Sequence, residues 1–239
     1  MSQTQGYFVT GTDTEVGKTL VSGALILKLR EEGSRALGFK PVAAGCYQDA
    51  QGKILNEDIE TLRLASGLEP GHLELCPYLL DVAAAPHLAA EKQQLQLNLG
   101  TITKAYQQVC KESDAVIVEG AGGFLIPLNT QEDLGDLAQH LDLPIILVVG
   151  MKLGCINHAL ITCEAITSRQ LKIAGWIANS LSTEMPLLDE NIQTLSAKIA
   201  APFLGCIPPL PKSLQKPNNA PYSIEALTFA AQHLRLPKH

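Results

Sequence analysis

The chain has 239 residues and a net charge of −6, with 46% hydrophobic and 18% charged residues. That length suits one α/β domain able to bury roughly 70–75% of its unfolded surface, and the acidic balance argues against a broad nucleic-acid footprint. No basic start leads into an apolar stretch as secretion would need, and apolar runs such as residues 145–150 are too short for a bilayer, which takes about 20 residues.

Short β-rich runs alternate with longer helical patterns, which predicts βα units around a mostly parallel sheet flanked by helices. In chain order the pattern gives a strand at 7–10, a helix at 18–32 and a strand at 36–40. Helices follow at 58–66 and 102–110, then strands at 115–119 and 144–150. A helix at 156–169, a strand at 173–179, a helix at 187–199, a strand at 203–207 and a helix at 224–234 complete the series. Residues 116–118 and 145–149 are continuously apolar, as strands covered on both faces should be. Residues 208–221 are rich in Pro and Asn and read as a loop. No repeat or linker divides the chain, so one domain over residues 1–239 is expected. In such sheets ligands bind beyond the carboxyl ends of the strands, so the residues just after each strand carry the chemistry.

The first strand runs into Gly11-Thr-Asp-Thr-Glu-Val-Gly-Lys-Thr19, with a helix behind it. Gly17, Lys18 and Thr19 supply what a phosphate loop needs: open backbone amides, an ammonium for the β/γ oxygens and a hydroxyl for Mg²⁺. The usual motif has Gly where Thr12 stands, and here the nearest one is Gly11, so the loop is a variant. A single-domain P-loop NTPase fold follows.

Lys40 ends the second strand beside this loop, and Glu119 leaves the third strand in Val118-Glu-Gly-Ala-Gly-Gly123. A carboxylate at a buried strand end needs a partner, and small residues after it let backbone approach a ligand. Asp58, in Asn56-Glu-Asp58, opens a helix, where on the residues alone a plain charge stabilising the helix dipole is the better reading. A solvated lysine is the corresponding alternative for Lys40.

Together with Lys40-Pro-Val-Ala-Ala44 and Val149-Gly-Met-Lys-Leu-Gly-Cys-Ile-Asn-His158, these segments resemble the dethiobiotin synthetase family over nearly the whole chain, less so after about Asn179. The resemblance implies a cytoplasmic MgATP-dependent ligase that joins CO₂ and 7,8-diaminopelargonate into dethiobiotin, in biotin biosynthesis. It implies a homodimer and no nucleic-acid or membrane partner. It makes Lys40, Lys18 and Thr14 catalytic, and Thr19, Asp58 and Glu119 the Mg²⁺ set. Nucleotide contacts are carried over to Glu15, Val16, Gly17, Lys18, Thr19, Leu20, Asp58, Glu119, Gly120, Ala121 and Gly122. Glu15 would act through its backbone amide or on an amine, because its carboxylate would repel phosphate. Adenine falls to Asn179 and Ser180, with Ile207, Pro208 and Pro209 as a wall, although Asn179 also suits a plain turn at a strand end. Substrate falls to Thr14, Lys40 and Ala44, and to the amides of Gly154, Cys155, Ile156 and Asn157 across the dimer interface.

Two departures stand out. The family commonly has Ser at Ala44, and losing one such hydrogen bond weakens binding by about 0.5–1.5 kcal/mol. Residues 83–86, Ala-Ala-Ala-Pro, also lack a Ser or Thr that relatives can carry. The nearest rival is a partition-type ATPase switch of the same fold, which needs a second lysine where Thr12 and Asp13 stand. A corrin-ring amidotransferase shares the nucleotide half, but 239 residues leave no room for its glutaminase domain. The six cysteines form no CxxC pair or His–Cys zinc spacing, and His72, His87, His140, His158, His233 and His239 form no cluster, so reduced thiols and no metal hydrolysis are expected.

Overall fold

The computed structural model describes residues 5–182 and 185–237; His239 lies outside them. Its elements are β1 (Gln5–Gly11), α1 (Lys18–Glu31), β2 (Ala36–Phe39), β3 (Val42–Ala44), β4 (Tyr47–Gln48), β5 (Ile54–Leu55), α2 (Glu57–Ser66) and β6 (Tyr78–Leu80). There follow α3 (Pro86–Lys92), α4 (Leu99–Lys111), β7 (Ala115–Glu119), α5 (Leu134–His140), β8 (Ile145–Met151) and α6 (Cys155–Ser168). The chain continues through β9 (Ile173–Ser180), α7 (Leu188–Lys198), β10 (Phe203–Ile207), a 3-10 turn (Lys212–Leu214) and α8 (Ile224–Gln232).

Six strands form one sheet in the order β10-β9-β8-β1-β7-β2, parallel at every pairing. From β1 the chain goes out to the edge at β2, returns to β7, and then crosses to the far side at β8. The loops after β1 and β7 therefore emerge side by side at the carboxyl edge. Both faces of the sheet are apolar because both are covered. Tyr7, Val9, Ala115, Ile117, Ile146 and Val148 pack with α1, α2 and α8. Their neighbours Phe8, Val116, Val118 and Ile145 face α4, α5 and the end of α6, and Leu147, Val149 and Trp176 face α6 and α7. Continuous hydrophobic strands thus sort by alternation into one core on one face and two on the other.

The six main strands and six of the helices lie where the sequence pattern puts them, with shifts of at most three residues at their ends and none for β7 and β10. The two-stranded pairings β3 with β6 and β4 with β5 and the seven-residue helices α3 and α5 are additional. Strands of two or three residues carry no readable period, and seven residues give only two helical turns. The helix expected at 102–110 begins earlier, at Leu99, because the Asn98 side chain accepts from Thr101 N and caps it.

Trp176 is fully buried on β9, with its ring 4.5 Å from that of Phe203, and among the described residues its indole N–H has no partner. Trp176→Ala is expected to destabilise by about 3–5 kcal/mol, while Trp176→Phe, which keeps the ring and drops a buried unpaired donor, should lose much less. Urea unfolding followed by circular dichroism checks this, and equal losses for the two variants would contradict it.

Candidate active site

The turn after β1 owes its shape to two glycines. A Cβ on Gly11 would stand 2.6 Å from Val16 Cγ2. Gly17 has φ of 87°, and a Cβ there would stand 2.1 Å from Asn179 Nδ2, so both conformation and space exclude a side chain. Glu15 also takes positive φ, at 59°. The side chains of Val16 and Leu20 go into the core, which leaves only their backbone for a ligand. Thr14 and Glu15 are exposed.

Helices α2, α4, α5 and α8 have their first amides capped by the side chains of Asn56, Asn98, Asp133 and Ser223. Helices α1 and α6 instead begin at left-handed glycines, Gly17 and Gly154, with no side-chain cap. Their first turns carry a positive dipole end and no side-chain cap, which suits phosphate or carboxylate, although in α6 the Cys155 amide already donates to the Lys152 carbonyl at 2.9 Å. Gly154 and Asn157 are exposed, Ile156 is half-buried and Cys155 packs inward. Lys152, in the turn before α6, pairs with Asp13 of the first loop at 3.0 Å, which ties the two amide-bearing turns together.

The centre of the edge is a buried charge cluster. Lys40 Nζ, 3% exposed, meets Glu119 Oε1 at 2.7 Å, Asp58 Oδ2 at 2.9 Å and the Gly120 carbonyl at 3.1 Å. Thr19 Oγ1 lies 2.7 Å from Asp58 Oδ1 and 2.8 Å from Glu119 Oε1, so one hydroxyl proton faces two carboxylate oxygens. Glu119 Oε2 is buried without a partner among the described residues. Lys18 Nζ donates to the Asp13 carbonyl at 2.9 Å, within the loop.

Solvation and charge compete at each of these groups. Burial opposes the Lys40 ammonium, but Asp58 and Glu119 together outweigh it and hold its pKa above the ordinary lysine value. Burial also opposes the Asp58 carboxylate, yet Lys40 and the Thr19 hydroxyl leave its pKa lowered. Glu119 is fully buried, and that burial raises its pKa despite Lys40. Lys18 is pushed down to about 8, first by burial and then by Lys40.

One hydroxyl and two carboxylates, one of them with an unpartnered oxygen, are a hard-oxygen donor set of the kind that takes Mg²⁺ with water and phosphate oxygens. Among the described residues no cluster of three His, Cys, Asp or Glu offers an all-protein metal cage. The set therefore fits a cation shared with a phosphate ligand.

The other expected residues surround this centre. Gly120 backs onto the Phe8 ring, and Gly122 faces Ile126 and the Thr14 hydroxyl. Asn179, at the end of β9, stands in register with Ile207 of β10, and both are buried. Its Nδ2 donates to the Val16 carbonyl at 2.9 Å, a link from β9 to the first loop that the sequence did not announce. Ser180 is used locally, its hydroxyl 3.1 Å from the Ser182 carbonyl. Pro208 and Pro209 are half-buried after β10. Ala44 ends β3, and the neighbouring Gly45 carbonyl accepts from Asn56 Nδ2 at 2.7 Å, so the α2 cap also fixes that turn. Asn56 was missed by sequence reasoning, although an Asn just before a helix is a recognisable cap.

A protein-family model described as an AAA domain matches residues 5–217. The chain is similar to the ATP-dependent dethiobiotin synthetase BioD of Aromatoleum aromaticum, 49% identical over 208 residues, covering 87% of this chain and 92% of the relative. It is similar to that of Ralstonia nicotianae at 50% over 205 residues, covering 86% and 89%, and to that of Cellvibrio japonicus at 46% over 206 residues, covering 86% and 90%. Among solved structures it is similar in fold to the septum site-determining protein MinD of Pyrococcus horikoshii complexed with Mg-ADP, with a TM-score of 0.55 at 15% identity over 95% of both chains. The MinD of Aquifex aeolicus aligns equally, with a TM-score of 0.55 at 13% identity over 95% of both chains.

Folded, Lys18 holds its proton less tightly than in the unfolded chain, where the ordinary value is 10.5. Between about pH 8 and 10.5 the unfolded chain binds more protons, so this group makes stability rise with pH. Lys18→Met should therefore be more stable than the parent at pH 7, with the advantage shrinking above pH 8. Urea midpoints across that range measure it; an advantage that grows with pH would contradict it.

Proposed function

The chain belongs to the ATP-dependent dethiobiotin synthetase family, and from that premise we propose that it closes the ureido ring of dethiobiotin from 7,8-diaminopelargonate, CO₂ and MgATP, releasing ADP and phosphate. The observation that carries the reading is the convergence of Thr19, Lys40, Asp58 and Glu119 beside an amide-lined turn. An amine of the substrate takes up CO₂ as a carbamate, a weak nucleophile. Transfer of the γ-phosphoryl group makes a carbamic–phosphoric anhydride, and the neighbouring amine closes the ring and expels phosphate.

Phosphoryl transfer asks mainly for alignment and for neutralised charge. In this reading the amides of residues 15–20 cradle the triphosphate and Lys18 meets its β/γ oxygens. Thr19, Asp58 and Glu119 hold Mg²⁺, which when bound neutralises charge on those oxygens. Lys40 sits where it can turn from the carboxylates toward carbamate and γ-phosphate. Asn179 keeps its carbonyl and one N–H for adenine while its other N–H holds Val16, and Ile207, Pro208 and Pro209 supply an apolar wall. Thr14 and Ala44 border the substrate, and the small residues Gly120, Ala121 and Gly122 let backbone approach the nucleotide.

The amide end of α6, at residues 154–157, receives the substrate carboxylate from a second copy of the chain. The full exposure of Leu153 and the 57% exposure of Ile161 beside them support a homodimer on this face. All six cysteines are free thiols, and no described helix is long and apolar enough to cross a membrane, which fits action in the cytoplasm.

The reading predicts phosphate release that needs both diaminopelargonate and bicarbonate; release unaffected by omitting either would favour an ATPase switch instead. Lys18→Ala is expected to lower turnover by about 10²–10³ by removing preorganised charge at the transferred group. Lys40→Ala should damage single-turnover chemistry more than nucleotide affinity. Intact chemistry with weakened ATP binding would reverse its role.

A further inference from the structure

Residues 208–222, which run from β10 to α8, are fastened across the start of α2 by contacts that the chemistry above does not use. Lys216 Nζ meets Glu57 Oε2 at 2.7 Å and lies 5.5 Å from the centre of the Tyr222 ring. Tyr222 N donates to Thr61 Oγ1 at 3.0 Å, and that fully buried hydroxyl donates to the Glu57 carbonyl at 2.7 Å. Gln215 Nε2 closes back on the Leu210 carbonyl at 3.1 Å, and the side chains of Leu210 and Tyr222 rest on the core.

Glu57 is the residue before Asp58. On its other side the same helical turn is held by Asn56, which caps Asp58 N and donates to Gly45. The Tyr222 phenol is pushed up to about 12 by burial first and then by the carboxylates of Glu57, Asp58 and Glu119. One end of the segment, Pro208 and Pro209, is the wall assigned above to the nucleotide base. The other end grips the turn that carries Asp58.

We propose that Lys216 is a positioning residue: through Glu57 it joins the base-side segment to Asp58, so that base binding and Mg²⁺ binding strengthen each other. Two ligands that act on one shared element are coupled, and the coupling is reciprocal. A cation held by one partly exposed carboxylate and an aromatic face supports only a modest coupling. The proposal rests on the readings of Asp58 as a Mg²⁺ ligand and of Pro208 and Pro209 as the base wall.

The test is equilibrium binding of the β,γ-imido analogue of ATP to the full chain, with Mg²⁺ and with EDTA. Lys216→Met should weaken binding about threefold to fivefold with Mg²⁺ and leave binding in EDTA unchanged. Lys216→Arg should restore it. Glu57→Gln should reproduce the loss, and adding Lys216→Met to it should weaken binding no further. Inorganic tripolyphosphate with Mg²⁺, which has no base, should bind parent and variant alike. Equal losses with Mg²⁺ and EDTA, additive losses, or the same loss with tripolyphosphate would overturn the coupling. Asp58→Asn separates the two layers: if Mg²⁺ still tightens the analogue in that variant as in the parent, the ligand reading itself fails, whatever Lys216 does.

Discussion

The carboxyl edge of the sheet depends on one constraint, the burial of Lys40 between Glu119 and Asp58. An ammonium and a carboxylate taken out of water lose several kcal/mol of hydration each, and only mutual contact with further hydrogen bonds offsets this. Here Lys40 bonds to both carboxylates and to the Gly120 carbonyl, and Thr19 completes the ring. Four side chains from α1, α2, β7 and the end of β2 are thereby held in one place. Neutral in sum with Lys18, the cluster remains poised: Glu119 Oε2 is unpartnered and a single Thr19 proton serves two oxygens. A hard cation and a phosphate would relieve both deficits. The reading of the site as a phosphoryl-transfer centre grows from this imbalance.

Around the cluster the backbone is shaped by close approach. Gly17 could carry no side chain without striking Asn179, and Asn179 in turn holds Val16, so β9 braces the first loop from the side assigned to the base. The Asp13–Lys152 pair braces it from the side of α6. Helices α1 and α6 begin at left-handed glycines, whereas α2, α4, α5 and α8 are closed by side-chain caps; α3 and α7 also lack such a cap, so an uncapped end alone does not mark a binding site.

Much of this could be read in the sequence because its signals are local. Residues 11–19 carry the first loop in one stretch, Lys40 and Glu119 stand at the ends of apolar strands, and continuous hydrophobic runs announce a sheet covered on both faces. Asp58 was ambiguous for a physical reason: the same carboxylate serves a helix dipole or a cation. Only the packing of α2 on α1 brings it 2.7 Å from Thr19, a residue 39 positions away. Asn179 was legible as a strand-end amide but not as the brace of Val16, which lies 163 positions away. Lys216 and Glu57, 159 positions apart, left no trace, since neither a lone lysine in a Pro-rich loop nor a glutamate in a first turn announces its partner.

The most direct measurement of the central claim is a crystal structure of the chain with Mg²⁺, an ATP analogue and diaminopelargonate. The account predicts the cation against Thr19, Asp58 and Glu119, with Lys18 and the turn at residues 11–19 on the triphosphate. A cation held elsewhere, with Lys40 and the two carboxylates closed on each other as before, would contradict it.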